Sequence, residues 1–120
     1  MTKIKGVKGA FTLEIETFTI VPSTKNKTQK VSDIVFNRRV KETQVALRTF
    51  FGGTTRVKGH GEYELKGKFI PEKVSIVYSF SRRKDFLKNK QKWINWVKKK
   101  RAEWSQDSIG IGIEGDMYYI

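Results

Sequence analysis

Residues 11–21, FTLEIETFTIV, alternate with a period of two. Phe11, Leu13, Ile15, Thr17, Thr19 and Val21 fall on one side, and Thr12, Glu14, Glu16, Phe18 and Ile20 on the other. This is the pattern of a strand with one side on a core and the other carrying two acids, so another layer must cover its first side. The next stretch, PSTKNKTQK (22–30), is polar, basic and rich in turn formers, and predicts a mobile loop. The period then lengthens. From Ile34 to Phe51, Phe36, Val40, Leu47 and Phe51 recur at helical spacing, helped by Val35, Ala46 and Phe50, with Arg38, Arg39, Lys41, Glu42 and Arg48 on the polar sides. Ser32 or Asp33 is placed to cap this helix, and Gly52 and Gly53 to end it.

TTRVKGHGEYEL (54–65) predicts an extended segment that firms up around Glu62–Leu65, with a turn at 66–67. KFIPEKVSIVYSF (68–80) follows as a second strand of a hairpin, interrupted near Pro71 because proline cannot donate to a ladder. Val74, Ile76, Tyr78 and Phe80 share a side there. A helix of roughly 20 residues comes next: Phe86, Lys90, Trp93, Val97 and Trp104 trace a stripe that Leu87, Ile94 and Trp96 widen. Ile109, Ile111 and Ile113, alternating with glycines ahead of Met117–Ile120, give a last strand. The order βαββαβ predicts an α+β, ferredoxin-like fold: a four-stranded antiparallel sheet in spatial order 2-3-1-4, two helices on one face, and an open opposite face.

At 120 residues the chain predicts a single domain, 1–120. It contains no cysteine, which excludes disulfides, thiolate nucleophiles and cysteine-based zinc sites, and its one histidine is His60. The amino terminus is basic without the apolar run of a signal peptide, and no apolar stretch nears ~20 residues, so a cytoplasmic protein with no membrane partner is expected.

The formal charge is +13, and all 25 lysines and arginines lie at or before Arg101. Residues 82–101, RRKDFLKNKQKWINWVKKKR, hold ten bases and one acid. This helix predicts a nucleic-acid-binding protein with DNA or RNA as partner. Arg82, Arg83, Lys84, Lys88, Lys92, Lys98, Lys99 and Arg101 are the phosphate contacts, and Arg56 and Lys58 extend the surface. The competing reading is a solvated face whose lysine stems cover apolar neighbours. Gly59 and Gly61 around His60 read as turn or bulge devices, and GGTT lacks the lysine and spacing of a phosphate loop.

Two alternatives belong to other classes. If Glu14 and Glu16 face outward beside Glu114 and Asp116, the four carboxylates form a site for Mg²⁺ or Mn²⁺, and a basic groove next to it gives a small nuclease; only that reading calls for a metal, and otherwise no cofactor is expected. His60 and Glu62 are its candidate acid and base. The other alternative is a basic protein–protein interaction module that recognises an acidic protein. Phe18, Ile20, Val77 and the terminal MYYI suggest an open face able to stack bases or to form a homodimer. VSIVYSF stands where an RNA-recognition module would carry its aromatic signature. Trp93 and Trp104 are expected in the core, with Trp96 at a boundary.

Overall fold

A computed structural model describes residues 13–120, so Phe11 and Thr12 of the expected first strand lie outside the described residues. The elements are β1 (Ile15–Pro22), β2 (Thr24–Lys25), β3 (Gln29–Lys30), α1 (Asp33–Phe51), β4 (Thr55–Leu65), β5 (Lys68–Ser81), α2 (Arg83–Glu103), β6 (Gly110–Ile113) and β7 (Asp116–Tyr119).

The alternation in β1 decides which side of the sheet is covered. Ile15, Thr17, Thr19 and Val21 are buried beneath the helices, as are Ser75, Val77, Ser79 and Ser81 on the neighbouring β5. Several hydroxyls in this layer have partners: Thr17 Oγ1 donates to the Ser79 carbonyl at 3.3 Å, the Trp93 indole N–H donates to Thr19 Oγ1 at 3.1 Å, and Ser79 Oγ donates to the Gly53 carbonyl at 2.6 Å, whereas the buried Ser81 hydroxyl has none among the described residues. Trp93 sits at the centre of the core, fully buried, with the Phe51 ring edge-on at 5.5 Å and Phe36, Val40, Leu47, Val77, Val97, Trp104 and Ile111 in the same cluster. Ser32 caps α1 by accepting from the Val35 N–H at 3.2 Å, and the Gly52 N–H closes its far end on the Arg48 carbonyl at 2.8 Å.

The single four-stranded ferredoxin-like sheet expected from the sequence is corrected. The main sheet has five antiparallel strands in the order β4-β5-β1-β6-β7, and β2 and β3 form a separate two-stranded ribbon. Three local causes account for the difference. Glu114 and Gly115 both take positive φ, 53° and 84°, the conformation of a two-residue hairpin turn, so the carboxy-terminal stretch folds into two strands rather than one. The polar stretch 22–30 is not a mobile loop. Asn26 and Lys27 turn it back at φ 48° and 71°, and the Asn26 N–H anchors it to the Ser105 carbonyl at 3.1 Å. Finally, β5 runs unbroken through Pro71. β1 ends at Pro22, opposite Val74, so Pro71 pairs with Glu62 of β4 alone and no second ladder needs its N–H. No helix among the described residues is long and apolar enough to cross a membrane.

Candidate ligand cleft on the open face of the sheet

The alternation that buries Val21 and Val77 turns Phe18, Ile20 and Pro22 of β1 to the opposite face, where Tyr78, Ile76 and Val74 of β5 stand beside them. On the flanking strands the same rows fall on glycines: Gly59 pairs with Val74 and Gly61 with Glu72. Gly110 adjoins Ile20, so that an added Cβ would come 3.2 Å from Ile20 Cδ1. The missing side chains hollow out a trough. Its walls are Tyr63 and Leu65 of β4, Thr24 and Lys27 of the ribbon, Gln106–Ser108 after α2, and Tyr119 of β7; together they enclose a cleft of about 620 Å³. That volume and the convergence of five elements suit a nucleoside-sized molecule.

The polar groups of the cleft meet at Glu72. Its Oε1 accepts from the Ser23 N–H at 3.1 Å and from Thr24 Oγ1 at 2.8 Å, which leaves Oε2 for a ligand. The Tyr63 hydroxyl donates to the Lys27 carbonyl and so ties β4 to the ribbon across the mouth. Burial first, and the negative charge of Glu72 second, hold that phenol above its ordinary value of 10, so it stays a neutral donor at physiological pH. Gln106 Nε2 donates to the Thr24 carbonyl at 2.6 Å and the Trp104 carbonyl at 3.0 Å. Lys27 faces Asp107 at 3.7 Å. The charge of the lining does not follow that of the chain: Glu72 and Asp107 bring two carboxylates against one lysine, Lys27, in a protein of net charge +13, while Glu62 and Glu64 alternate with Tyr63 and Leu65 along β4 and border the cleft from the strand's other side. With Asp107 facing Lys27, the attraction for a cationic group is centred on Glu72.

A larger groove of about 860 Å³ runs along the outer surface of α1 and α2, lined by Ile34, Arg38, Lys41, Val45, Phe50 and Trp96 among others. It draws on two helices only. Among the described residues its lining holds the ion pair of Lys100 with Glu42 at 3.2 Å, beside Arg38 and Lys41. The sheet cleft is therefore the better-built site.

Of the residues singled out from the sequence, His60 and Glu62 do line the cleft. The basic residues stay on the surface of two elements. Lys84, Lys88, Lys92, Lys98 and Lys99 are exposed on α2, Arg101 is half-buried, Arg82 caps the helix start, and Arg83 faces Glu14 at 3.6 Å. Arg56 and Lys58 stand on β4, which packs on β5 and α1. Lys100 is engaged within the chain: its ammonium lies 5.6 Å from the Trp96 ring centre and pairs with Glu103 at 2.8 Å.

The proposed four-carboxylate cage is not assembled. Glu114 accepts from the Glu16 backbone N–H, Glu14 turns to Arg83, and Asp116 pairs with Ile113 in the β6–β7 ladder. Among the described residues no group of three or more His, Asp or Glu side chains is placed to hold a metal ion.

Sequence reasoning missed Glu72, Tyr63, Thr24, Gln106 and Asp107. The signal available was the alternation of Gly59, Gly61, Tyr63 and Leu65 on one side of β4.

Comparison with solved structures gives the fold a precedent. A phage SAM lyase in complex with S-methyl-5'-thioadenosine matches 88% of this chain and 88% of its own at 17% identity, with a TM-score of 0.63. The fold is shared with a phage SAM lyase. A phage SAM lyase in the apo state matches 96% of this chain and 95% of its own, again at 17% identity, with a TM-score of 0.67. No protein-family model matches the chain. No curated protein matches it. These likenesses overturn the sequence-based expectation of a nucleic-acid-binding protein with DNA or RNA as partner, and with it the metal nuclease and the basic interaction module. The chains of like fold are named for a small sulfonium substrate rather than a polyanion. The open face expected to stack bases carries a cleft with Glu72 in its wall.

Proposed function

We propose that the chain binds S-adenosylmethionine in the sheet cleft and cleaves it to S-methyl-5'-thioadenosine. The observation that carries this reading is the Glu72 carboxylate set in a cleft of this volume in a strongly basic protein, on a fold shared with a phage SAM lyase. S-adenosylmethionine carries a sulfonium and an ammonium against one carboxylate, so it enters as a cation. The trough over Gly59, Gly61 and Gly110 takes the flat adenine against Ile20, Val74 and Ile76. Glu72, through Oε2, accepts from the cationic end of the ligand, and Tyr63 closes the mouth through its tie to the ribbon.

The chemistry asks little of the protein. The bond between sulfur and Cγ breaks with its electron pair passing to sulfur, which becomes the neutral thioether of S-methyl-5'-thioadenosine. An oxygen of the substrate's own carboxylate bonds to Cγ and closes a five-membered lactone, so neither water nor a protein nucleophile is consumed. The cysteine-free sequence is compatible with that requirement. The cleft contributes by folding the substrate so that carboxylate and Cγ meet, which is catalysis by orientation.

Incubation of the purified chain with S-adenosylmethionine, followed by chromatography and mass spectrometry, tests the proposal. Accumulation of S-methyl-5'-thioadenosine with an equal amount of the four-carbon lactone is expected. A Glu72→Gln variant is expected to lose at least tenfold in turnover. Substrate that remains intact at micromolar enzyme over hours would reject the reading.

A further inference from the structure

Arg39 lies on α1, on the far side of the ribbon strand from the cleft, and is 5% exposed. Its Nη1 donates to the Pro22 carbonyl at 2.9 Å and to the Thr24 carbonyl at 2.8 Å. Its guanidinium rests 5.4 Å from the Trp104 ring centre, and its Nε finds no hydrogen-bond partner. Burial draws its pKa down, while the charges of Glu72 and then Glu42 push it back up. A buried guanidinium with an unpartnered N–H is a costly way to fill space, and an apolar side chain of similar volume would pack there more cheaply.

What the guanidinium does becomes visible at Thr24. The carbonyl of Thr24 receives Arg39 from the helix side and Gln106 at 2.6 Å from the loop after α2. From the cleft side, the Thr24 hydroxyl donates to Glu72 Oε1, beside the bond from the Ser23 N–H. The carboxylate therefore hangs on two groups of a short ribbon segment whose backbone is held from behind by a buried cation. We infer that Arg39 is a positioning residue for the cleft, fixing the Ser23–Thr24 backbone so that Glu72 presents its free oxygen to the ligand. This rests on the reading of Glu72 as a ligand contact, although the positioning itself can be observed without a ligand.

The test uses the full chain with Arg39→Met and Arg39→Lys. Amide hydrogen exchange followed by NMR reads the positioning directly. In Arg39→Met the Ser23 amide is expected to exchange at least tenfold faster, while the amides of Thr19 and Val77 in the sheet centre keep their wild-type protection. Arg39→Lys, which retains the charge and can reach one carbonyl, is expected to restore part of the Ser23 protection, and it serves as the measurement if the methionine variant does not fold. Unchanged Ser23 exchange in a folded variant would overturn the inference, and so would an equal loss of protection across the whole sheet, which would mark Arg39 as a plain core residue.

Binding then separates the inference from the function. If wild type binds S-adenosylmethionine, Arg39→Met should weaken it about tenfold, weaken neutral S-methyl-5'-thioadenosine by no more than about twofold, and add little to Glu72→Gln. Equal weakening of both ligands, or full additivity with Glu72→Gln, would contradict the inference. Wild type that binds neither ligand would reject the proposed function, and the exchange result would still decide the role of Arg39.

Discussion

The outer face of α2 and the cleft on the far side of the sheet present opposite electrostatics within one 120-residue chain. The helix carries most of a dense run of cations, yet these side chains come from one element and stand exposed on it, while Lys100, half-buried, is spent on Glu42, Glu103 and Trp96. The cleft holds only a handful of charges, but Glu72, Lys27 and Asp107 come from β5, the ribbon and the loop after α2, and they border a common space. Charge density along a sequence is thus a poor guide to a site, because a site needs convergence across elements. Net charge describes the long-range field, which governs solubility and non-specific attraction; it says little about what a particular concavity accepts.

The largest effect expected within this comparison belongs to the inner side of the basic helix. Trp93→Ala removes a fully buried indole and its bond to Thr19, and should cost about 3–5 kcal/mol of stability in denaturant unfolding. Glu72→Gln comes next. It keeps the shape but removes the charge, and should weaken S-adenosylmethionine about 10- to 100-fold by calorimetry, in line with ~1.5–3 kcal/mol for a charge-assisted hydrogen bond, while the melting temperature changes little. Gly59→Ala should separate binding from folding. Its new Cβ lies 3.3 Å from Val74 Cγ2, a contact that a small side-chain shift relieves, so stability should hold within about 1 kcal/mol while affinity falls several-fold as the trough fills.

On the helix, simultaneous Lys88→Gln, Lys92→Gln and Lys99→Gln should leave affinity within about twofold and stability within about 1 kcal/mol, because exposed surface substitutions act weakly. A tenfold loss of affinity there would reverse the contrast between the two regions.

The smallest effect expected is in acid. The Glu103 carboxyl is held below its ordinary 4.5, chiefly by its hydrogen bond to Lys100, so its stabilising contribution is present above that value and fades as pH falls through the depressed folded-state pKa. Glu103 is largely solvent-exposed, so the contribution is small. Glu103→Gln should flatten the stability curve slightly between pH 4.5 and the acid limit and leave neutral pH nearly unchanged.

Much of the layered fold was legible. The period of two in β1, the helical spacing of Phe36, Val40, Leu47 and Phe51, and the Trp93–Val97 stripe are local patterns, and burial follows them directly. The extra hairpin was harder to read, because Glu114 is not a residue that announces a left-handed turn. The stretch 22–30 looked mobile because its order comes from distant partners: Ser105, and Glu72 some 49 residues beyond Ser23. The same distance hid the cleft. Tyr63, Glu72 and Gln106 belong to three different elements, and only the β4–β5 register and the fold-back of the ribbon bring them together. His60 and Glu62 were within reach because they sit beside the conspicuous glycines 59 and 61. The glycines themselves read as turn or bulge devices, although their place is in a continuous strand at the cleft floor.

The most direct test of the contrast between cleft and helix is a titration of the ¹⁵N-labelled chain with S-adenosylmethionine, followed by amide chemical shifts at physiological salt. Saturating shifts are expected at Gly59, Gly61, Ser108 and Gly110, with Lys88, Lys92 and Lys99 unmoved. Shifts confined to α2, or none at all at millimolar ligand, would contradict the assignment of the cleft as the binding site.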